Sequence, residues 1–182
     1  MSPIAAPSAE PVDLNDRARL RSTFAAFPTG VTVVTAGGDE PRGMTANSFT
    51  SVSLSPPLVL VCVTKDAVMH RCLTASSAFA VSVLATGQQD VARHFADRSR
   101  PAGAGQFDAV GPLPGKETDA PLIAGAAAHL ECRKWRVYDG GDHTIFLGEV
   151  LTATHWPARE SLLFSGGRFR SFAPDPGESR AA

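Results

Sequence analysis

The sequence predicts a mainly β protein, a β-barrel with a few helices, and three observations carry that prediction. Short β-branched or apolar runs such as Gly30 to Thr35 and Leu58 to Val63 read as strands. Ala128, Leu130 and Cys132 alternate with His129, Glu131 and Arg133, the period of a strand. Tight turns join these runs, and the helical segments are inserted between strands instead of alternating with them, which disfavours a doubly wound sheet.

In chain order, Asp13 or Asn15 is expected to cap a first helix whose Leu20, Phe24 and Phe27 share an apolar face. Pro28-Thr29-Gly30 ends it, and the strand to Thr35 follows. Gly37 to Pro41 is a turn making a hairpin with the stretch that starts near Arg42. A polar loop leads into the strand from Leu58 to Thr64. Lys65 to Thr74 reads as a helix with Val68, Cys72 and Leu73 inward, and Ser77 to Thr86 as a strand. Gly87 to Arg98 is a second inserted helix with Val91 and Phe95 on one face. Ser99 to Gly115 is expected to be a long loop, of the kind that serves as a ligand lid or partner surface. From residue 128 the chain turns strongly β. The apolar phase switches at Trp135 and Val137, which predicts a bulge or a second buried face, such as a subunit interface. Asp139 to Asp142 is a tight turn, Thr144 to Thr152 the returning strand, and Ser161 to Phe172 a last strand or strand pair. The count is six or seven strands and two or three short helices, without an internal repeat.

With 182 residues, 43% hydrophobic and 19% charged, the chain can bury one self-sufficient core. A net charge of −1 supplies no general attraction for nucleic acid or an anionic membrane, and no apolar run is long enough to span a bilayer. Residues 1–15 read as a disordered arm and not a signal peptide, 16–172 as one domain, and 173–182 as a flexible tail. Three cysteines without a close pair fit a reduced, cytoplasmic setting.

The chemistry concentrates in Gly43 to Val63. Thr45, Asn47, Ser48, Thr50, Ser51 and Ser53 crowd its first half with uncharged donors and acceptors. The apolar run that follows can hold such a loop rigid, so the stretch suits an anionic, heterocyclic ligand. Other sites fail. No G-x-G-x-x-G opens a helix, and Gly111 to Lys116 is one residue short of a phosphate loop, with Glu117 where a hydroxyl is needed. The histidines form no spaced cluster with the cysteines, so no metal site is expected. A G-x-S-x-G elbow is missing too.

Ordered matches run from Phe27-Pro-Thr-Gly-Val-Thr-Val-Val-Thr35 through Gly43-Met-Thr-Ala-Asn-Ser-Phe-Thr-Ser-Val-Ser53 and Pro56-Pro-Leu-Val-Leu-Val-Cys62. They continue through Phe79 to Leu84, Gln88, Phe95-Ala96, Pro121-Leu122, Leu130 to Cys132, Gly141 to Val150 and Leu163 to Phe169. In this set the chain resembles the flavin reductase family, with its FMN-binding split barrel, whose members supply reduced flavin to two-component monooxygenases. The resemblance implies that Met44, Thr45, Ala46, Asn47 and Ser48 pass the edge of a flavin ring and that Ser51 and Ser53 approach its phosphate. It implies that Thr29 and Gly30 shape the pocket wall and that Cys62, Val63 and Lys65 lie near the ring or ribityl chain. His143, in the Gly-Asp-His turn, would position the nicotinamide, and Gly166-Gly167-Arg168 could touch the same nucleotide. Arg93, His94 and Arg98 read as the solvated face of a helix.

The implied activity is NAD(P)H:flavin oxidoreductase, with FMN or FAD as flavin and NADH or NADPH as hydride donor. A homodimer and a separate flavin-dependent monooxygenase are the implied partners. Because the cofactors carry that chemistry, no acid–base pair or nucleophile need stand out. A non-catalytic flavin-binding module on the same barrel is the alternative. An oxidase of the pyridoxamine-phosphate type would need basic groups that this polar stretch lacks.

Overall fold

The computed structural model describes residues 10–172. In order, the elements are α1 (Arg17–Phe24), β1 (Thr29–Gly30), β2 (Thr32–Ala36), β3 (Arg42–Ala46), β4 (Phe49–Leu54) and β5 (Pro57–Thr64). Next come α2 (Val68–Ala75), β6 (Ala78–Val83), α3 (Gln89–Ala96), a 3-10 helix (Gly103–Val110), β7 (Pro112–Leu113) and β8 (Leu122–Ile123). Two long strands, β9 (Ala128–Gly140) and β10 (His143–His155), precede β11 (Leu163–Ser165) and β12 (Arg168–Arg170).

Seven strands form one antiparallel sheet in the order β3-β2-β6-β9-β10-β5-β4. Its edge strands, β3 and β4, follow each other in the chain but are not hydrogen-bonded to one another, so the barrel is open on that side. The predicted β class holds, and the short β1-β11-β12 and β7-β8 sheets raise the strand count above six or seven.

β2 is buried along its whole length because the sheet is covered on both sides there. Val34 joins a core with Val61, Met69, Phe79 and Phe146, while Val33 joins a second with Phe95, Phe107 and Leu162. The phase switch at Trp135 is a bulge: Lys134 faces Gly148 and Arg136 faces Leu147, leaving Trp135 as the extra residue.

Several expectations are corrected. Asp16, not Asp13 or Asn15, caps α1 by accepting from the Ala18 and Arg19 amides, while Asp13 accepts from Asn15. α1 buries nothing: Phe24 and Phe27 are 69% and 76% exposed, because no element among the described residues covers that face. α2 starts at Val68, since Lys65 to Ala67 are spent in a turn. Met69 and Leu73 therefore point inward and Val68 does not. The 99–115 loop contains the 3-10 helix, pinned by buried Gln106 and Phe107. Residues 10–15 lead into α1, whereas 1–9 of the expected arm and the whole 173–182 tail lie outside the described residues.

The polar side of β9 is also buried. Glu131 accepts from the backbone amides of Lys116, Glu117 and Thr118 and from the Thr118 hydroxyl, which satisfies its carboxylate and fixes that loop. His129 donates Nε2–H to the Ile123 carbonyl and packs edge-on against Trp156. Burial holds its pKa below the ordinary histidine value, with Arg159 acting in the same direction. A depressed folded pKa means the unfolded chain binds the extra proton first. The contribution of His129 is therefore full above about pH 6.5 and declines as pH falls towards the folded value. Melting curves between pH 7.5 and 5.5 should show a falling Tm, and His129→Asn should flatten the decline.

Candidate functional site

The Thr45 to Ser48 segment is clamped from both sides. The Thr45 hydroxyl donates to the Ala92 carbonyl of α3 at 2.7 Å. Ser48 Oγ donates to the Cys62 carbonyl of β5 at 2.7 Å and accepts from the Cys62 amide at 3.2 Å. Both hydroxyls are thus occupied in holding the backbone of this crossing between α3 and β5. Asn47 projects exposed between them, and its amide has no protein partner among the described residues.

Two cavities flank this segment and share Thr45 and Ala96 as walls. One, of about 280 Å³, is bounded by Met44 and Thr45 of β3, Thr64, the start of α2 at Ala67 to Met69, and Phe95 and Ala96 of α3. Arg42, Arg98 and Arg100 line it as well, opposed by a single lining acid, Asp66. No side chain caps the N-terminus of α2, so its first amides are available to an anion. Arg42 Nε is buried without a hydrogen-bond partner. Arg100 reaches the Gly43 and Asp97 carbonyls, and desolvation, followed by repulsion from Arg42, lowers its pKa to about 10.

The other cavity, of about 230 Å³, lies between Thr45, Asn47 and Ala92 on one side and Phe164 and Phe169 on the other. It continues past Arg93 into an open groove of about 600 Å³ along Gln89, Asp90, Gly167 and Arg168. Arg93 stacks over the Phe169 ring at 5.3 Å and pairs with Asp90 at 2.6 Å.

His143 lies directly opposite Thr64 in the β10–β5 pairing, so the two side chains emerge on one face beside the first cavity. Its Nδ1 lies 2.7 Å from Asp142 Oδ1. That hydrogen bond holds the Asp142 carboxyl below its usual range, so the carboxylate accepts and Nδ1 carries the proton. Lys65 pairs with Asp139 at 3.0 Å across the same turn.

Of the residues expected from sequence, the structure brings Met44, Thr45 and Asn47 to the two cavities. Ala46 and Val63 sit in the core. Ser48 and Cys62 form the clamp, and Lys65 braces the turn. Ser51 and Ser53 lie on β4 and line neither cavity, and Ser53 accepts from the Ser55 amide. Thr29 and Gly30 form β1 beside Phe164 and Leu163, and Thr29 Oγ1 is buried without a partner. Burial pushes the Cys62 thiol up and that of Cys132 to about 12, so neither is a thiolate near neutral pH. No group of three metal-ligating side chains occurs among the described residues.

Sequence reasoning missed Arg42, Arg98, Arg100 and the open α2 N-terminus. The three arginines come from a hairpin and a loop far apart in the chain and form no motif. The one available signal was the 99–115 loop as a possible lid, which contains Arg100.

The whole chain is 72% identical to an NADH-dependent FAD reductase of Streptomyces globisporus, matching 100% of both proteins. It is 34% identical to HsaB, the reductase subunit of a flavin-dependent monooxygenase of Rhodococcus jostii, over 96% of this chain and 88% of the relative. A solved NADH:FAD oxidoreductase, SgcE6 of Streptomyces globisporus in complex with NAD and FAD fragments, superposes with a TM-score of 0.88 at 70% identity, covering 92% of this chain and 99% of that one. BorF, the flavin reductase component of a bacterial two-component tryptophan halogenase, superposes with a TM-score of 0.83 at 54% identity over 86% and 98% of the chains. The model of the flavin reductase like domain matches residues 24–173, and the chain belongs to that family.

Proposed function

We propose that this protein is an NADH-dependent flavin reductase that takes FAD or FMN and passes the reduced flavin to a partner monooxygenase. The observation that carries the reading is the pair of cavities meeting at Thr45 and Ala96, one basic and one apolar. A ring system at their junction lies within reach of both.

Flavin bound there supplies the hydride acceptor, and reduced nicotinamide supplies the hydride. The chain's own residues bind and orient. The α2 amides and the arginine-lined wall hold the phosphate end. Ser51 and Ser53 are left out of that role because they line neither cavity. Backbone groups of Thr45 to Ser48, held by the two hydroxyl clamps, meet the ring edge, and the free Asn47 amide supplies donors and an acceptor. The groove along Arg93, Phe169 and Gly167 suits the dinucleotide. His143, oriented by Asp142, presents Nε2 to the carboxamide. Such positioning lowers the barrier by removing orientational freedom before reaction.

The domain runs from 16 to 172. Phe24 and Phe27 at the end of α1 and Trp135, Val137 and Tyr138 on β9 are exposed apolar side chains, and such exposure supports a homodimer. All three cysteines are free, which fits a reducing, cytoplasmic setting. No helix among the described residues is long and apolar enough to cross a membrane.

The test mixes purified protein with NADH and either FAD or FMN and follows absorbance at the reduced-nicotinamide band. Flavin-dependent NADH oxidation is expected, faster than with NADPH. Tight flavin binding without any NADH oxidation would favour a non-catalytic flavin module and defeat the proposal.

A further inference from the structure

The open groove beside Phe169 carries charge of both signs, and two observations tie it to the rest of the site. It shares Arg93 and Phe169 with the apolar cavity at Asn47, so one ligand can occupy both. It is also joined to the His143 turn by α1. At the start of that helix Arg17 pairs with Asp142 at 3.3 Å, and at its end the Ala25 carbonyl accepts from the Gly166 amide at 2.9 Å. The two turns thus stand at opposite ends of an eight-residue helix about 12 Å long. A dinucleotide with its nicotinamide end near His143 reaches the groove with its adenosine half. There Asp90 is the one acid among the described lining residues, facing Arg93 and Arg168. Asp90 Oδ1 accepts from Arg93 at 2.6 Å, while Oδ2 has no protein partner among the described residues. Arg93 is held twice, by Asp90 and by the Phe169 ring.

We propose that Asp90 reads the adenosine ribose of the hydride donor: Oδ2 accepts from the 2′-hydroxyl of NADH and turns away the 2′-phosphate of NADPH. The inference rests on the flavin reductase reading. An ionised carboxylate only accepts, so it suits a hydroxyl and opposes a phosphate. Asp90 acts in a second way as well. By occupying Arg93 it withholds the guanidinium that would otherwise pair with the extra phosphate. The groove is open, so the discrimination comes from charge and not from steric exclusion; an unfavourable contact of this kind rejects the wrong ligand.

The experiment compares the parent protein with Asp90→Asn, Asp90→Ala and Asp39→Asn, the last removing the same charge from the β2–β3 turn, which does not line the groove. Exposed ion pairs on a helix add little to stability, so the Asp90 variants should fold, and melting curves check this. Steady-state kinetics with flavin present gives kcat/KM for NADH and NADPH, and calorimetric titration of NAD+ and NADP+ reads binding without turnover. The parent is expected to favour NADH. Asp90→Asn should lower the NADH-to-NADPH ratio about tenfold in both measurements, NADPH gaining and NADH losing. Asp90→Ala should move the ratio at least as far, and Asp39→Asn should leave it unchanged. A ratio unmoved by both Asp90 variants, or moved equally by Asp39→Asn, overturns the proposal, as does a parent that treats the two dinucleotides alike. If NADH is still oxidised with flavin in those cases, only the inference falls. If the parent oxidises neither dinucleotide, the reductase reading falls and the inference with it.

Discussion

A Gly43→Val variant should melt about 5–10 °C below the parent protein and lose at least tenfold in flavin affinity. A Cβ at residue 43 would stand 2.6 Å from Phe95 Cε1 and 2.7 Å from its Cδ1, closer than any side chain tolerates. Phe95 is fully buried against Phe107 and has nowhere to retreat. Overpacking of this kind costs about 1–3 kcal/mol, more for a branched side chain, and each kcal/mol moves Tm by roughly 2–4 °C at this size. The functional loss has the same origin. Gly43 donates to Gln106 Oε1 at 2.9 Å and accepts from Arg100, so its displacement shifts the arginine wall as well. β3 and α3 together wall the first cavity, and prying them apart widens it. Differential scanning calorimetry and flavin titration check both effects. Parent-like affinity in a destabilised variant would separate the cavity from the packing.

Replacing His143 by alanine should raise KM for NADH about tenfold, a loss of about 1.4 kcal/mol, while leaving the flavin dissociation constant within about twofold. The imidazole is fixed by Asp142 and emerges beside Thr64 at the cavity edge, not among the arginines that line that cavity. Asp142→Asn removes the acceptor that fixes Nδ1–H and should give a smaller rise in the same constant. Because His143 holds the Asp142 carboxyl below its ordinary range, this brace stays ionised throughout the neutral range. Steady-state kinetics with NADH varied at saturating flavin reads the effect. A variant with unchanged KM and weakened flavin would place the imidazole on the flavin instead.

Much of the fold was legible locally. The β-branched run at Gly30 to Thr35 reads as a buried strand, while the run from Leu58 to Val63 is a strand of which only Val59, Val61 and Val63 are buried. The phase error at Trp135 marked a bulge from spacing alone. Where the sequence misled, a partner element had changed what polarity means. His129 and Glu131 look like the wet side of a strand, yet the 116–118 amides and the Ile123 carbonyl satisfy them in the interior. Phe24 and Phe27 look like an inward face, yet nothing among the described residues covers them.

The sequence by itself determined the β class, the hairpins and the polar Thr45 to Ser48 segment, because strand periodicity and turn chemistry are properties of neighbouring residues. Tertiary structure alone decided which polar groups are spent on structure and which remain for a ligand. Thr45 and Ser48 turned out to be clamps, and the cavity's charge came from Arg42, Arg98 and Arg100. Those three converge only when β3 packs on α3, so their grouping arises from long-range packing and leaves no local trace in the chain.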